Sequence, residues 1–332
     1  MIQHTRQAYA EIVYNGKPIT KSISDSTGKF EYTDTADKSD TISLTINDKA
    51  DRWLLDWYPS TGDKILASIF VTDWLLPGDY RFLNCGIFVL DDPTFSGNPT
   101  SVSLNAVSQP ADSSFTSKEH TQTWEQATVQ QIASEIASRN GLLIQYEAES
   151  ITVEIKEQSK ETDSAFIQKL CSEYGLSLKI YSYKLVIFDR EMYKKRPAIA
   201  TITRAEVKQW TFNPTLAGTY TGGTITYTDP YEEEDVTFTL GGGTRMLNMN
   251  EKADNEADAE KKLKAAINNA NHDMIKMTCT TMGNPSLVST QTVNVLGFGR
   301  ADGVYYINEV KHSLSSSGYE TSYDLSKVEM SF

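Results

Sequence analysis

The sequence predicts a β-rich α+β fold in which two β regions flank a small α/β unit, and three observations predict it. Residues 1–118 and 197–332 alternate Thr, Val, Ile and Tyr with polar residues between clusters of Gly, Asn, Asp and Pro, as in Thr41–Ile46 and Thr224–Thr228. A period of two marks strands with one buried face. Between these regions the apolar spacing lengthens to that of a helix. The two β regions also share a local pattern: Gly86-Ile87-Phe88-Val89-Leu90-Asp91-Asp92 matches Gly303-Val304-Tyr305-Tyr306-Ile307-Asn308-Glu309 type for type.

In order along the chain, the first β region gives way near residue 119. Val129, Ile132, Ala133, Ile136 and Ala137 then recur at helical spacing, with Thr123 as a candidate N-cap and Gly141 placed to end the helix. Phe166, Ile167, Leu170, Cys171 and Tyr174 repeat the spacing between Thr162 and Gly175. Each helix is followed by two short strand-like runs, Leu142–Tyr146 with Ile151–Ile155 and Leu176–Tyr181 with Lys184–Phe188. The middle, 119–196, therefore reads as a helix–strand–strand unit used twice. A third helix is predicted from Asn255 to Ala270, where Leu263, Ala266, Ile267 and Ala270 share one face. It interrupts the second β region, 197–332. The shared pattern continues from Ser96-Gly97 through Leu104 into Ser317-Gly318 through Leu325, with a turn longer by four residues in the second copy. That is the mark of a duplication.

Composition bounds the function. A chain of 332 residues is long enough for two or three domains, and its 39% hydrophobic and 23% charged residues are those of a folded protein. Its net charge of −13 opposes phosphate attraction, so no stable nucleic-acid binding is expected. Apolar runs such as Leu185–Phe188 are far shorter than a bilayer span, and Met1–Asn15 lacks a basic-then-apolar leader, so no membrane insertion is expected. Cys85, Cys171 and Cys279 are odd in number and far apart, which predicts reduced, buried thiols in a protein made in a cytoplasm.

The C-terminal region carries a longer pattern: Gly283-Asn284-Pro285-x-Leu287, then Val293-x-Val295-x-Gly297-Phe298-Gly299, Asp302-Gly303-x-Tyr305-x-Ile307-x-x-Val310-x-His312 and Gly318-Tyr319-x-Thr321. It resembles the phage late control protein D family, the baseplate hubs of contractile tails, which are similar to the N-terminal half of VgrG spikes. Asp163-x-x-Phe166-Ile167-x-x-Leu170-Cys171-x-x-Tyr174-Gly175-Leu176 and Thr61-Gly62-Asp63-Lys64-Ile65 resemble the same family, from about Trp53 to the C-terminus. One departure is Val288-Ser289-Thr290-Gln291, where the family usually has a glycine. The resemblance implies two β-barrels like tail-tube subunits, 1–118 and 197–332, around the 119–196 insert. It also implies a homotrimer whose pseudo-six-fold ring joins a hexameric tail tube to a trimeric spike. The implied partners are a second copy of the chain, the tail tube protein, the spike protein and other baseplate proteins, in a virion or a phage-tail-like contractile injection particle.

Motifs for chemistry are sparse. His4, His120, His272 and His312 are too scattered for a local ligand pair; His312 reads as a packed or hydrogen-bonded residue and His272 as part of a solvated turn. Asp91 and Asp92 point to opposite faces of a strand and are read as a turn before Pro93, and Glu232–Asp235 as a solvated loop. Gly297-x-Gly299 is read as a tight turn and Gly241–Gly243 as a loop, since neither has the strand–helix context of a phosphate site. The expectation is a structural protein with no catalytic residues, no cofactor and no metal. The alternative is a peptidoglycan- or glycan-binding module or a cell-wall hydrolase of a tail. The candidate interface residues are Trp53, Leu54, Trp57 and Tyr58, whose alternative reading is a plug inside the first barrel.

Overall fold

The computed structural model describes residues 5–20, 27–110, 114–228, 234–328 and 332. His4 lies outside the described residues, as do Glu232 and Glu233, the first half of the acidic run Glu232–Asp235.

The first β region contains β1 (Gln7–Tyr14), β2 (Lys17–Pro18), β3 (Thr27–Thr35), β4 (Thr41–Asn47), β5 (Lys64–Thr72), β6 (Tyr80–Ser96) and β7 (Ser101–Val107), joined in the order β3-β4-β7-β6-β5-β1-β2. Alternation does what it predicts in β4, where Ile42, Leu44 and Ile46 are buried while Thr41, Ser43 and Thr45 are only partly so. These side chains share a core with Phe30, Ile65, Ile69, Phe88 and Leu104. Each such fully buried aliphatic side chain contributes roughly 2 kcal/mol.

The middle region contains α1 (Ser114–Ser117), β8 (Glu119–Thr128), α2 (Val129–Arg139), β9 (Leu143–Glu147), β10 (Thr152–Thr162), α3 (Asp163–Glu173), β11 (Leu176–Tyr181), β12 (Lys184–Asp189) and α4 (Arg190–Lys194). The expected N-cap Thr123 lies inside β8, opposite Glu157. The cap is Thr128, whose hydroxyl accepts from the Gln131 N–H while the Gln131 side chain accepts from the Thr128 N–H. Thr162 caps α3, and Gly141 and Gly175 leave their helices in the left-handed region at φ 65° and 69°. The two expected hairpins are not alike. Strand β9 runs parallel to β12, whereas β10 pairs with β8, because alternation marks a strand without naming its partner and β8 matches β10 in length. Asp163 ties the helices together: Arg139 grips it through Nε at 3.0 Å and Nη2 at 2.7 Å, and Asn140 donates at 2.7 Å. That places an anion in the first turn of α3 and a cation in the last turn of α2, where each helix dipole favours it.

The second β region contains β13 (Ala200–Thr203), β14 (Val207–Pro214), β15 (Gly222–Thr228), β16 (Asp235–Gly241), β17 (Met246–Asn250), α5 (Glu256–Asn271), β18 (Ile275–Met282), β19 (Thr292–Leu296), β20 (Gly303–Ser315) and β21 (Gly318–Lys327). Strand β15, read from the sequence as part of the β region, sits instead in a three-stranded side sheet with β16 and β17. Helix α5 closes that sheet with its own core of Ile225, Tyr227, Ala259, Leu263 and Ile267. The remaining strands run β14-β18-β21-β20, with β19 and β13 beyond β20.

That order repeats the first region strand for strand, with β3, β4, β7, β6 and β5 answering to β14, β18, β21, β20 and β19. The irregularities repeat too. The β6–β7 ladder shifts between Leu90 and Asp92, the β20–β21 ladder between Ile307 and Glu309. The β3–β4 ladder shifts between Thr27 and Lys29, the β14–β18 ladder between Val207 and Gln209. Strand register corrects one detail of the alignment. Leu325 lies opposite Ile307 as Ala106 lies opposite Leu90, so Leu104 answers to Tyr323 rather than to Leu325. Strand β3 pairs with β20, which merges the two barrels into a 13-stranded sheet.

Candidate subunit interface

The joint between the barrels is built from strand edges. Antiparallel pairing sets Glu309–Ser315 of β20 against Lys29–Thr35 of β3. On one face His312 stacks on Tyr32 with ring centroids 5.8 Å apart, and Lys311 pairs with Glu31 at 2.7 Å on the other. Beside the joint a buried charge cluster binds three parts of the chain. Lys179 of β11 lies between Asp34 and Asp40, 2.9 Å from the latter, and Ser289 donates to Asp34 from its N–H at 2.8 Å and its hydroxyl at 2.6 Å. Burial pushes the Asp40 carboxyl up to about 7, with the Asp34 charge acting in the same direction and Lys179 against it. Burial also works against the Lys179 charge, but the two carboxylates outweigh it and hold its pKa above the ordinary lysine value. The Ser289 geometry requires the turn that lacks the family's glycine. Thr290 takes the left-handed conformation at φ 69°, which costs a β-branched residue about 1–2 kcal/mol.

The sequence-nominated segment divides. Both oxygens of Asp48 accept backbone N–H groups, from Arg52 at 3.0 Å and Trp53 at 2.8 Å, forming a short 3-10 turn at Arg52–Leu54. This turns Trp53 inward, to 3% exposure, edge-on to Tyr14 and Trp57 at 5.9 and 5.8 Å. Leu54, Trp57 and Tyr58 face outward at 41%, 38% and 61%. Tyr58 stacks on Phe95 of β6 at 5.7 Å. The plug reading thus describes Trp53, and the geometry leaves the other three free for contact.

Phe95 belongs to a feature the sequence reading missed. The expected turn at Asp91-Asp92-Pro93 is a bulge within β6, because the ladder with β7 skips Asp91 and resumes from Asp92 to Ser96. Strand β5 covers the other edge of β6 only as far as Val89. Among the described residues, Asp92–Ser96 has no strand on that side. Strand β14 is likewise paired, among the described residues, only with β18, and Lys208–Thr211 are exposed along it. Its Trp210 carries the Arg204 guanidinium 4.5 Å above the ring. The signal for both edges was the duplication, whose matched patterns do not by themselves say which strand edges stay open.

The other nominated residues have structural roles. His312 is fully buried and bonded through Nδ1 to the Tyr319 hydroxyl at 2.8 Å. His272 is not part of a solvated turn: Nε2 meets Asn308 Oδ1 at 2.8 Å, and burial, with Arg190 and Lys194 nearby, pushes its pKa down to about 3. Asp91 and Asp92 are exposed, and Gly297 and Gly299 shape a 3-10 turn at Gly299–Ala301. All three cysteines are buried and unpaired. Among the described residues, no group of three or more His, Cys, Asp or Glu is placed to hold a metal, and no helix is long and apolar enough to cross a membrane.

Comparison with known proteins adds a family. Residues 97–318 match the model of the phage tail baseplate hub (GPD) family. The chain is 22% identical over 366 aligned residues to the probable baseplate hub protein of Escherichia phage 186, covering 95% of this chain and 91% of that protein. Its fold matches the 43 kDa tail protein of prophage MuSo2 from Shewanella oneidensis with a TM-score of 0.73 at 14% identity, over 97% and 98% of the two chains. It also matches the E. coli c3393 protein, a type VI secretion component described as similar to the T4 tail proteins gp27 and gp5. There the TM-score is 0.57 at 13% identity, over 98% of this chain and 77% of the other.

Proposed function

The chain belongs to the phage tail baseplate hub (GPD) family, and we propose from that membership that three copies close into a pseudo-six-fold ring joining a hexameric tail tube to a trimeric spike. The observation that supports this reading is the pair of barrels with one strand order, laid side by side by the β3–β20 joint. Three chains can meet a six-fold tube with six like surfaces only if each chain supplies two. A trimeric face remains at the other end because the copies of the duplication are not identical: the 222–271 side unit interrupts the second barrel between β14 and β18. On this reading the two barrels, 1–118 and 197–332, form the ring, and the 119–196 insert lies outside it.

The role is mechanical, and we assign the chain no turnover of cell-wall, peptide or nucleotide substrates. Its excess of acid lets DNA pass the ring without sticking. Assembly takes place in the bacterial cytoplasm, before the particle is complete. Electron microscopy of the purified chain, with light scattering for its mass, tests the ring: a three-fold particle of three chain masses is expected. A strict monomer at every concentration, and in the presence of tube and spike proteins, overturns it.

A further inference from the structure

We propose that neighbouring copies are joined by an antiparallel strand pair between the open edge of β14 in one copy and Asp92–Ser96 of β6 in the next. The register is Thr94 opposite Asn213, Phe95 opposite Phe212 and Ser96 opposite Thr211. The proposal rests on the ring reading for its occupant, a second copy of this chain, and on the strand register for everything else.

The joint already present within the chain sets the geometry of this pair. Strand β3 docks on the part of β20 beyond the bulge, on the edge that β19 leaves uncovered. Strand β14 is the counterpart of β3, and β6 is the counterpart of β20. Tyr32 and Phe212 correspond because Tyr32 pairs with Ile42 and, through it, Ala106, while Phe212 pairs with Met277 and, through it, Leu325. Phe95 and His312 correspond because each lies five residues past the matched Leu90 and Ile307, across the same bulge. The free edges are therefore the two halves of the joint in the chain, exchanged between barrels. A contact of this kind is heterologous, and repeating it closes a ring when the rotation allows.

The residues support the register. The stacked Tyr32–His312 pair becomes an aromatic pair, Phe212–Phe95, and both phenylalanines are already half-buried at their strand edges. Pro93 falls opposite Pro214, so their missing N–H groups coincide at one rung instead of interrupting two. The segment after β4 continues the parallel. Its counterpart after β18 sends Ser289 into the barrel joint, and Tyr58 here stacks on Phe95 at the edge awaiting β14. Long unpaired edges invite pairing, and a second copy satisfies both.

Ser96→Cys and Thr211→Cys are exposed edge changes, prepared separately in the full chain, checked for an unchanged melting temperature, mixed and oxidised. Nonreducing electrophoresis is expected to show a covalent dimer in the mixture and none in either variant alone, with dimers and trimers from the double variant. Mixing Ser96→Cys with Asn213→Cys, two residues out of register, is expected to give at least severalfold less. Light scattering on the unsubstituted chain separates the two readings. Association without the mixed crosslink, or with equal crosslinking of either variant alone, overturns the seam and leaves the ring; no association under any condition overturns both.

Discussion

The imidazole of His312 lies flat on the Tyr32 ring, 5.8 Å between centroids and 8° from parallel, where β20 of the second barrel meets β3 of the first. Burial pushes the His312 pKa down to about 4, so the ring works as an uncharged aromatic surface. A base whose pKa is lower folded than unfolded contributes stability that is full above about 6.5 and is lost as pH falls through 4. His312→Phe keeps the stack and gives up the Tyr319 bond, costing about 1–2 kcal/mol at pH 7.5. The gap between the proteins is expected to close and then reverse, the variant becoming the more stable, as pH falls from 6.5 to 4, in denaturant titrations at each pH. A gap that widens would show that the histidine is charged in the fold.

Trp53 and its neighbours separate folding from association. Trp53→Ala removes a buried ring from the first core and is expected to cost about 3–5 kcal/mol. Trp57→Ala or Tyr58→Ala is expected to change the melting temperature little and to weaken association, since both rings stand outward, Tyr58 stacked on Phe95 and Trp57 edge-on to Trp53. Thermal melts and sedimentation run in parallel check this; equal effects on both measurements would reject the division.

How far the sequence reading reached follows from the range of each interaction. Helices α2, α3 and α5 were legible because their apolar period is local, as are the end glycines Gly141 and Gly175 of the first two, and β11 was found from Leu176 to Tyr181. Thr123 was named as the cap because it precedes the periodic run, as the true cap Thr128 also does, and only the β8–β10 ladder decides between them. The side sheet of β15, β16 and β17 was missed because alternation does not say which sheet a strand joins. Lys179 reads as an ordinary strand lysine until Asp34 and Asp40 arrive from residues far away in the chain. The aromatic segment at Trp53 was visible as composition, but its neighbour Phe95 lay behind an Asp-Asp-Pro string that imitates a turn.

Gly283 of the C-terminal pattern has a steric reason. A Cβ there would overlap the Tyr319 ring, which is buried against Trp74 at 5.6 Å, while the Gly283 carbonyl accepts from Trp74 Nε1 at 2.6 Å. Tyr319 cannot yield without breaking its bond to His312. Gly283→Ala is expected to destabilise by about 3 kcal/mol, and Gly318→Ala, open to solvent but at φ 114°, by less. Denaturant midpoints of the two variants test the order.

Asp40 makes the opposite pH dependence to His312. One ammonium, Lys179, serves two buried carboxylates, and the Tyr32 hydroxyl donates to Asp40 at 3.0 Å. Cys85, whose thiol is pushed well up by burial, and Tyr181 also face the cluster without supplying a charge at neutral pH. The Asp40 carboxyl therefore takes up a proton near 7 in the fold and near 3.8 in the unfolded chain. A carboxyl raised on folding adds stability below about 3.8 that is lost as pH rises through 7. Asp40→Asn keeps the shape, leaves Lys179 paired with Asp34 and removes the second charge. Relative to the unsubstituted protein, the variant is expected to gain stability steadily from pH 4 to 7, by roughly 3 kcal/mol in all, and to hold that gain above pH 7. Urea midpoints from pH 4 to 8.5 measure the difference. A difference independent of pH would mean that Asp40 is ionised throughout and that Lys179 neutralises both carboxylates.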